Sequence, residues 1–350
     1  MSSTRGQFTR AEILSQPQAW AEALATLNRE RDRLATFLRE NSCDSVIFTG
    51  CGSTYYLSLA AAALTQELND VSASALPASE IWLYSRSSFR RSRSTLLIAV
   101  SRSGETSETL HAVEQFRTDG NGHVLTVSCY GDKPLTQRGD INLVLPSGQE
   151  QSIAQTRAFS VLYLATVYLA ALWRGDEGLL AEMELLPEVC RALLEQYGES
   201  ARRWGENLSI ERFYFLGSGL RFGLACELSL KMKEMSLSHS EPFHFLEFRH
   251  GPQSMVTPDT LMVGLVSSAN QASEQAVLDE MRQGGAHILS LGESDVEVAF
   301  TSGISEAVRN VLYLPIGQLM AYERAMVRGL DPDHPHNLEA VVRLEGKGEI

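Results

Sequence analysis

The chain has 350 residues, 44% of them hydrophobic and 21% charged, the make-up of a folded globular protein with room for two cores. A net charge of −13 argues against nucleic-acid or anionic-membrane partners, and no apolar run reaches membrane-spanning or signal-peptide type. Five scattered cysteines (Cys43, Cys51, Cys129, Cys190, Cys226) fit neither a disulfide framework nor a zinc site. They point to a reducing cytoplasm, with no metal or cofactor expected.

In chain order, residues 8–40 have apolar positions recurring at three and four, which predicts amphipathic helix in an N-terminal segment 1–42. A first α/β unit is expected over 43–174, with strands near 45–49, 71–76, 96–100, 123–128 and 142–145. A charged helical connector follows at 175–207. The second unit, 208–330, has strands near 212–216, 261–266 and 287–291. The tail 331–350 carries Pro332 and Pro335, so no helix is expected before about Asn337.

The two units say nearly the same thing. VIFTGCGSTYYLSLAAAA (46–63) reads as strand, glycine turn and helix, and FYFLGSGLRFGLACELSL (213–230) repeats it. LLIAVSRSGETSETLHAVEQF (96–116) is echoed by LMVGLVSSANQASEQAVLDEM (261–281), and GHVLTVS (122–128) by AHILSLG (286–292). A repeat of domain length predicts two copies of one α/β unit, each a parallel sheet flanked by helices in a flavodoxin-like or Rossmann-like three-layer sandwich. Ligands of such sheets bind at the carboxyl ends of the strands.

Only the first copy keeps Ser101-Arg102-Ser103-Gly104-Glu105-Thr106 between strand and helix. Hydroxyls, a glycine and the amides of a helix start can surround a phosphate, and Ser53 and Thr54 add hydroxyls from the neighbouring turn. The same residues also suit plain helix capping. The second copy keeps cap-competent residues but loses the glycine and one hydroxyl, which favours the phosphate reading for the first.

Glu227, Lys231 and Glu234 fall on one stripe of a predicted helix, with Lys233 pointing elsewhere. Such a ladder is either solvated surface or, on a helix packed against a sheet, acid–base machinery. EPFHFLEFRHGP (241–252) follows, setting His250 among aromatic and ionisable residues; a structural histidine is the alternative. Only four of the 30 basic residues are lysine, and two lie on this helix. Cys51 has no base near it in sequence and reads as a small core filler.

CGST (51–54), SRSGETSET (101–109), EQSIAQTRAF (150–159), ELSLKMKEMS (227–236), EFRHGP (247–252) and DPDHPHNL (331–338) together resemble the sugar isomerase (SIS) family, in particular the isomerase half of its glucosamine-6-phosphate synthase branch. The resemblance runs from about residue 40 to the end and implies two tandem SIS domains. It also implies that Ser53, Thr54, Ser101, Arg102 (through its main chain), Ser103, Thr106 and Gln155 hold a hexose 6-phosphate. By the same resemblance Glu234 moves the proton, Lys231 assists and His250 opens the ring, donated across a homodimer as in relatives.

Three departures narrow the expectation. The glutamine-hydrolysing domain is not expected, since Ser2 stands where it would begin with cysteine. The imine-forming lysine of the synthase has no counterpart after Asn337-Leu338-Glu339, and Lys347 lies too far along. Arg102 and Gln155 replace the glutamine and serine of the family pattern. The expected activity is therefore a hexosamine-6-phosphate deaminase/isomerase. A fructosamine-6-phosphate deglycase, an aldose–ketose 6-phosphate isomerase and a non-catalytic sugar-phosphate regulator are the alternatives.

Overall fold

The computed structural model describes residues 5–344; Lys347 lies outside the described residues. The first sheet is built from β1 (Ser45–Gly50), β2 (Ser72–Pro77), β3 (Thr95–Ser101), β4 (Gly122–Ser128) and β5 (Ile141–Val144). Its order is β2-β1-β3-β4-β5, and all the pairs are parallel. The second sheet comprises β6 (Arg212–Leu216), β7 (His239–Phe243), β8 (Thr260–Leu265), β9 (His287–Gly292) and β10 (Val298–Ala299). Read from its other edge, its order is β7-β6-β8-β9-β10, again wholly parallel. Taken copy by copy, both sheets follow one order, 2-1-3-4-5. The internal repeat is thus a repeat of topology, and in each sheet the order reverses between the first and third strands.

Central strands are continuous apolar runs, as burial on both faces demands: all seven residues of β3 and all six of β8 are buried. β7 and β10 fell outside the predicted strands. β7 reads HSEPF, an edge strand that is half-exposed and carries Pro242, so it lacks the apolar signature. β10 has two residues, too few for any pattern.

The chain divides into two compact units. One holds residues 19–149 and 157–180 with the described tail residues 337–344; the other holds the described residues up to Gln18 with 150–156 and 181–336. In the first, helix Arg157–Arg174 is apolar nearly all round and buried beside helix Ser53–Asn69. In the second, helix Leu186–Glu206 and helix Leu314–Val327 pack together, and the latter also packs on helix Arg221–Ser236. Among the described residues no helix is long and apolar enough to cross a membrane.

The approach of the last two helices depends on Gly317, where an added Cβ would lie 2.7 Å from a methyl of Leu228. Replacing Gly317 by valine should therefore cost about 1–3 kcal/mol, read as a lower urea midpoint at unchanged slope. An unchanged midpoint would show that this packing yields without strain.

Candidate functional site

In the first unit, β3 ends at Ser101 and helix Ser107–Asp119 begins six residues later. The Ser101 hydroxyl accepts the Gly104 N–H at 3.1 Å, and the Ser103 hydroxyl accepts the Glu105 N–H at 3.2 Å. Thr106 Oγ1 lies 3.4 Å from both serine hydroxyls, so three hydroxyls converge ahead of the helix. Thr106 occupies the N-cap position yet makes no side-chain capping bond. Gly104 is in the left-handed region at φ +68°, and a Cβ there would meet Lys133 Cβ at 2.9 Å. Both conformation and space require glycine.

The neighbouring turn after β1 is closed by Thr54, whose hydroxyl accepts the Cys51 N–H and donates to the Cys51 carbonyl, both at 2.9 Å. Ser53 and Thr54 are buried. Burial pushes the Cys51 thiol up to about 11, which suits a filler and not a nucleophile. The side chain of Arg102 is buried and donates to the Ala340 carbonyl at 3.1 Å. The tail makes further contacts here: the Ser107 N–H reaches the Val342 carbonyl (3.3 Å), the Leu344 N–H reaches the Ser107 hydroxyl (3.1 Å), and Arg343 pairs with Glu105 (2.9 Å). Lys133 pairs with the other oxygen of Glu105 at 3.1 Å. Lys133, then Arg343, holds the Glu105 carboxyl below its usual range. Neither Lys133 nor this tail segment was legible as part of the loop, because nothing local in the sequence brings them there.

In the second unit, helix Arg221–Ser236 presents the expected stripe inward. Lys231 is wholly buried, its Nζ 3.4 Å from buried Glu227 and 2.5 Å from Glu234, whose side chain is 20% exposed. Lys233 is exposed. Burial pushes the Lys231 ammonium toward its neutral form, but Glu227 and Glu234 outweigh it and hold its pKa above the ordinary lysine value. Only Glu234 of the three reaches solvent. His250 is exposed, follows the turn Glu247–Arg249, and has no hydrogen bond or ion pair from its ring among the described residues. In the segment 150–156, Glu150 accepts the Thr156 N–H and hydroxyl (2.9 and 3.0 Å). Gln155 Oε1 there is buried without a hydrogen-bond partner among the described residues.

A cavity of about 260 Å³ is lined by Ser45, Ser74 and Thr95, toward the amino ends of β1, β2 and β3, the ends opposite those where such sheets bind ligands.

Two parallel sheets of one order, a hydroxyl-lined loop at the switch point of the first and a Glu–Lys–Glu stripe on a helix of the second unit define a duplicated α/β protein. The SIS domain model matches residues 41–172 and 208–302, and the chain belongs to that family. Glutamine–fructose-6-phosphate aminotransferase [isomerizing] of Thermococcus kodakarensis is 30% identical over 97% of this chain and 58% of its own length. The protein of that name from Sulfurisphaera tokodaii is 28% identical over 97% and 56%. The chain thus spans a little over half of these curated relatives. Among solved structures, glucosamine-6-phosphate deaminase of Thermotoga maritima is 26% identical with a TM-score of 0.82, covering 96% of this chain and 99% of its own. The tagatose-6-phosphate ketose/aldose isomerase of Escherichia coli shares the fold, with a TM-score of 0.84 at 22% identity over 95% and 98%.

Removing Lys231 strands two carboxylates, one fully buried. Lys231→Met should destabilise the protein by about 3–5 kcal/mol, measured by chemical denaturation; a loss below about 1 kcal/mol would mean the stripe is hydrated. Arg343→Glu places two like charges together and should speed hydrogen exchange of the Ser107 amide. Unaltered exchange would show that this ion pair does not hold the tail.

Proposed function

We propose that the chain is an SIS phosphosugar enzyme, a hexosamine-6-phosphate deaminase/isomerase that turns an amino-aldose 6-phosphate and water into a ketose 6-phosphate and ammonia. The observation that carries this reading is the buried Lys231 clamped between Glu227 and Glu234, with Glu234 alone opening to solvent. The Lys231 ammonium sits against the Glu234 carboxylate, whose open side is where a proton can be taken up or delivered. The same charge makes Lys231 a poor amine nucleophile, because imine formation needs the neutral form. Proton transfer, and not covalent capture by Lys231, is the chemistry this arrangement serves.

In the proposed sequence the loop 101–106 holds the phosphate and His250 assists ring opening. Glu234 removes the C2 proton, giving an enolamine, and returns a proton to C1. The resulting C2 imine takes up water and releases ammonia, leaving the ketone. Lys231 stabilises the negative charge that develops beside Glu234. Gln155, whose buried carbonyl has no hydrogen-bond partner among the described residues, is a candidate for the sugar hydroxyls or amine. The name of the Thermotoga neighbour supports the deaminase reading, and the synthase relatives support a hexose phosphate substrate. A homodimer supplying His250 from the partner is part of the reading. The ring's exposure, and that of Leu246 and Met255 nearby, supports it.

Glucosamine, galactosamine and fructosamine 6-phosphates, assayed for released amine, distinguish deaminase (ammonia) from deglycase (amino acid) and plain isomerase (neither). On the active substrate, Glu234→Gln should lose about 10²–10⁴ in kcat while still binding. Near-full turnover of that variant would falsify the mechanism. Ser103→Ala and Thr106→Ala should act mainly by raising KM, since a non-reacting phosphate is held equally before and during reaction. A pure kcat effect with unchanged KM would remove the phosphate from this loop.

A further inference from the structure

The second sheet has its own loop at the switch point, and that loop is already filled. The Ser267 hydroxyl accepts the Asn270 N–H at 3.0 Å, matching the turn that Ser101 and Gly104 make in the first repeat. Helix Gln271–Gln283 then begins at once, without the longer glycine loop of the first copy. Between these points the Ser268 and Ala269 N–H groups both donate to Glu306 Oε2, at 3.1 and 3.2 Å. The other oxygen of Glu306 pairs with Arg221 Nη1. Arg309 lies 3.7 Å from Oε2 and donates to the Ser268 hydroxyl at 2.5 Å. Both guanidinium side chains are only 6% exposed, and Arg221 Nε has no hydrogen-bond partner among the described residues.

Successive amides plus two buried guanidinium groups are the donor set of a phosphate site. Their origin is telling: Arg221 stands in the repeat where Thr54 stands in the first copy, so Arg221 and the two amides follow the first and third strands of the sheet, while Arg309 comes from the short helix Glu306–Arg309 that also carries Glu306. We infer that the second repeat retains an oxyanion site whose ligand is built into the chain, the Glu306 carboxylate occupying the place of a phosphate. Emptying that place opens a site for a tetrahedral oxyanion. Glu274 and Glu293 stay as counter-charges, the first accepting the Ser267 N–H at 2.6 Å and the second 3.5 Å from Arg309. The two loop amides, by contrast, lose their acceptor. That the chain then takes one phosphosugar and not two rests on the function proposed above; the built-in anion does not.

The test compares wild type, Glu306→Ala and Glu306→Gln by thermal unfolding in chloride and in inorganic phosphate at matched ionic strength. In chloride both variants should melt about 5–10 °C below wild type, because two buried arginines lose a partner. Phosphate should then raise the alanine variant by several degrees more than it raises wild type, whose own gain reports the N-terminal loop and general salt effects. The glutamine variant, with the space still filled, should show no such excess. A glutamine variant as stable as wild type, or an alanine variant with no excess gain, overturns the inference. If the alanine variant folds only in phosphate, that too supports it; failure to fold in either salt counts against it. No phosphate gain in wild type alongside an excess in the alanine variant would undo the reading of the first loop and leave this one standing.

Discussion

Lys231 is an ammonium group with no access to water, and much of the second unit follows from that. Taking such a charge out of solvent costs several kcal/mol, and only well-placed opposite charges offset it. Helix geometry supplies them at i−4 and i+3, as Glu227 and Glu234. The apolar sides of the same helix must then seal the group from water, against β6 and β7 on one side and helix Leu314–Val327 on the other. Close packing at Gly317 is therefore part of the electrostatics. Because Glu227 is fully buried and Glu234 is not, the stripe meets solvent at Glu234.

On the reading proposed above, the first unit solves a different problem, holding an anion within a chain of net charge −13. It does so without presenting free basic side chains at the loop. Lys133 and Arg343 are both engaged by Glu105, and Arg102 is directed to the tail carbonyl of Ala340. What remains for an anion is hydroxyl and amide, groups whose usefulness depends on fixed geometry and not on long-range field. That is why the loop needs its own internal bonds, Gly104 to Ser101 and Glu105 to Ser103, to hold its shape.

How much of this was readable follows the range of the forces involved. The repeat, the central strands and the Glu–Lys–Glu stripe depend on period and order within one segment, so they were legible from residues alone. The edge strand β7 was not, because Pro242 and polar neighbours are tolerated only where one side is unpaired, and position in a sheet is not written locally. Thr54 was expected as a phosphate hydroxyl, and the structure gives that hydroxyl a turn-locking pair of bonds. The hydrogen bonds of Arg102, Ser107 and Arg343 to the tail, or across it to Glu105, span more than two hundred residues. Nothing in the spacing of either segment announces such contacts. Glu306 escaped notice for the same reason, being a single acid far along the chain from the amides it satisfies.

Comparing the repeats position by position shows where the two copies part. Glu227 and Lys231 of the second copy stand where Ala60 and Leu64 stand in the first, and both of those are fully buried core residues. Two apolar core positions in one copy are thus a buried ion pair in the other. Either charge alone in such a place would be prohibitive, so the exchange makes physical sense only as a pair. Glu234 matches Glu67, an acid present in both copies, which in the first has no buried cation beneath it and stays an ordinary exposed carboxylate. In the proposed mechanism an acid on a helix surface becomes a proton carrier because a core lysine is set against it, and that lysine is tolerable only because a second, hidden acid balances it. The division of labour between the repeats therefore reduces to which copy buries a charge and which keeps its loop open.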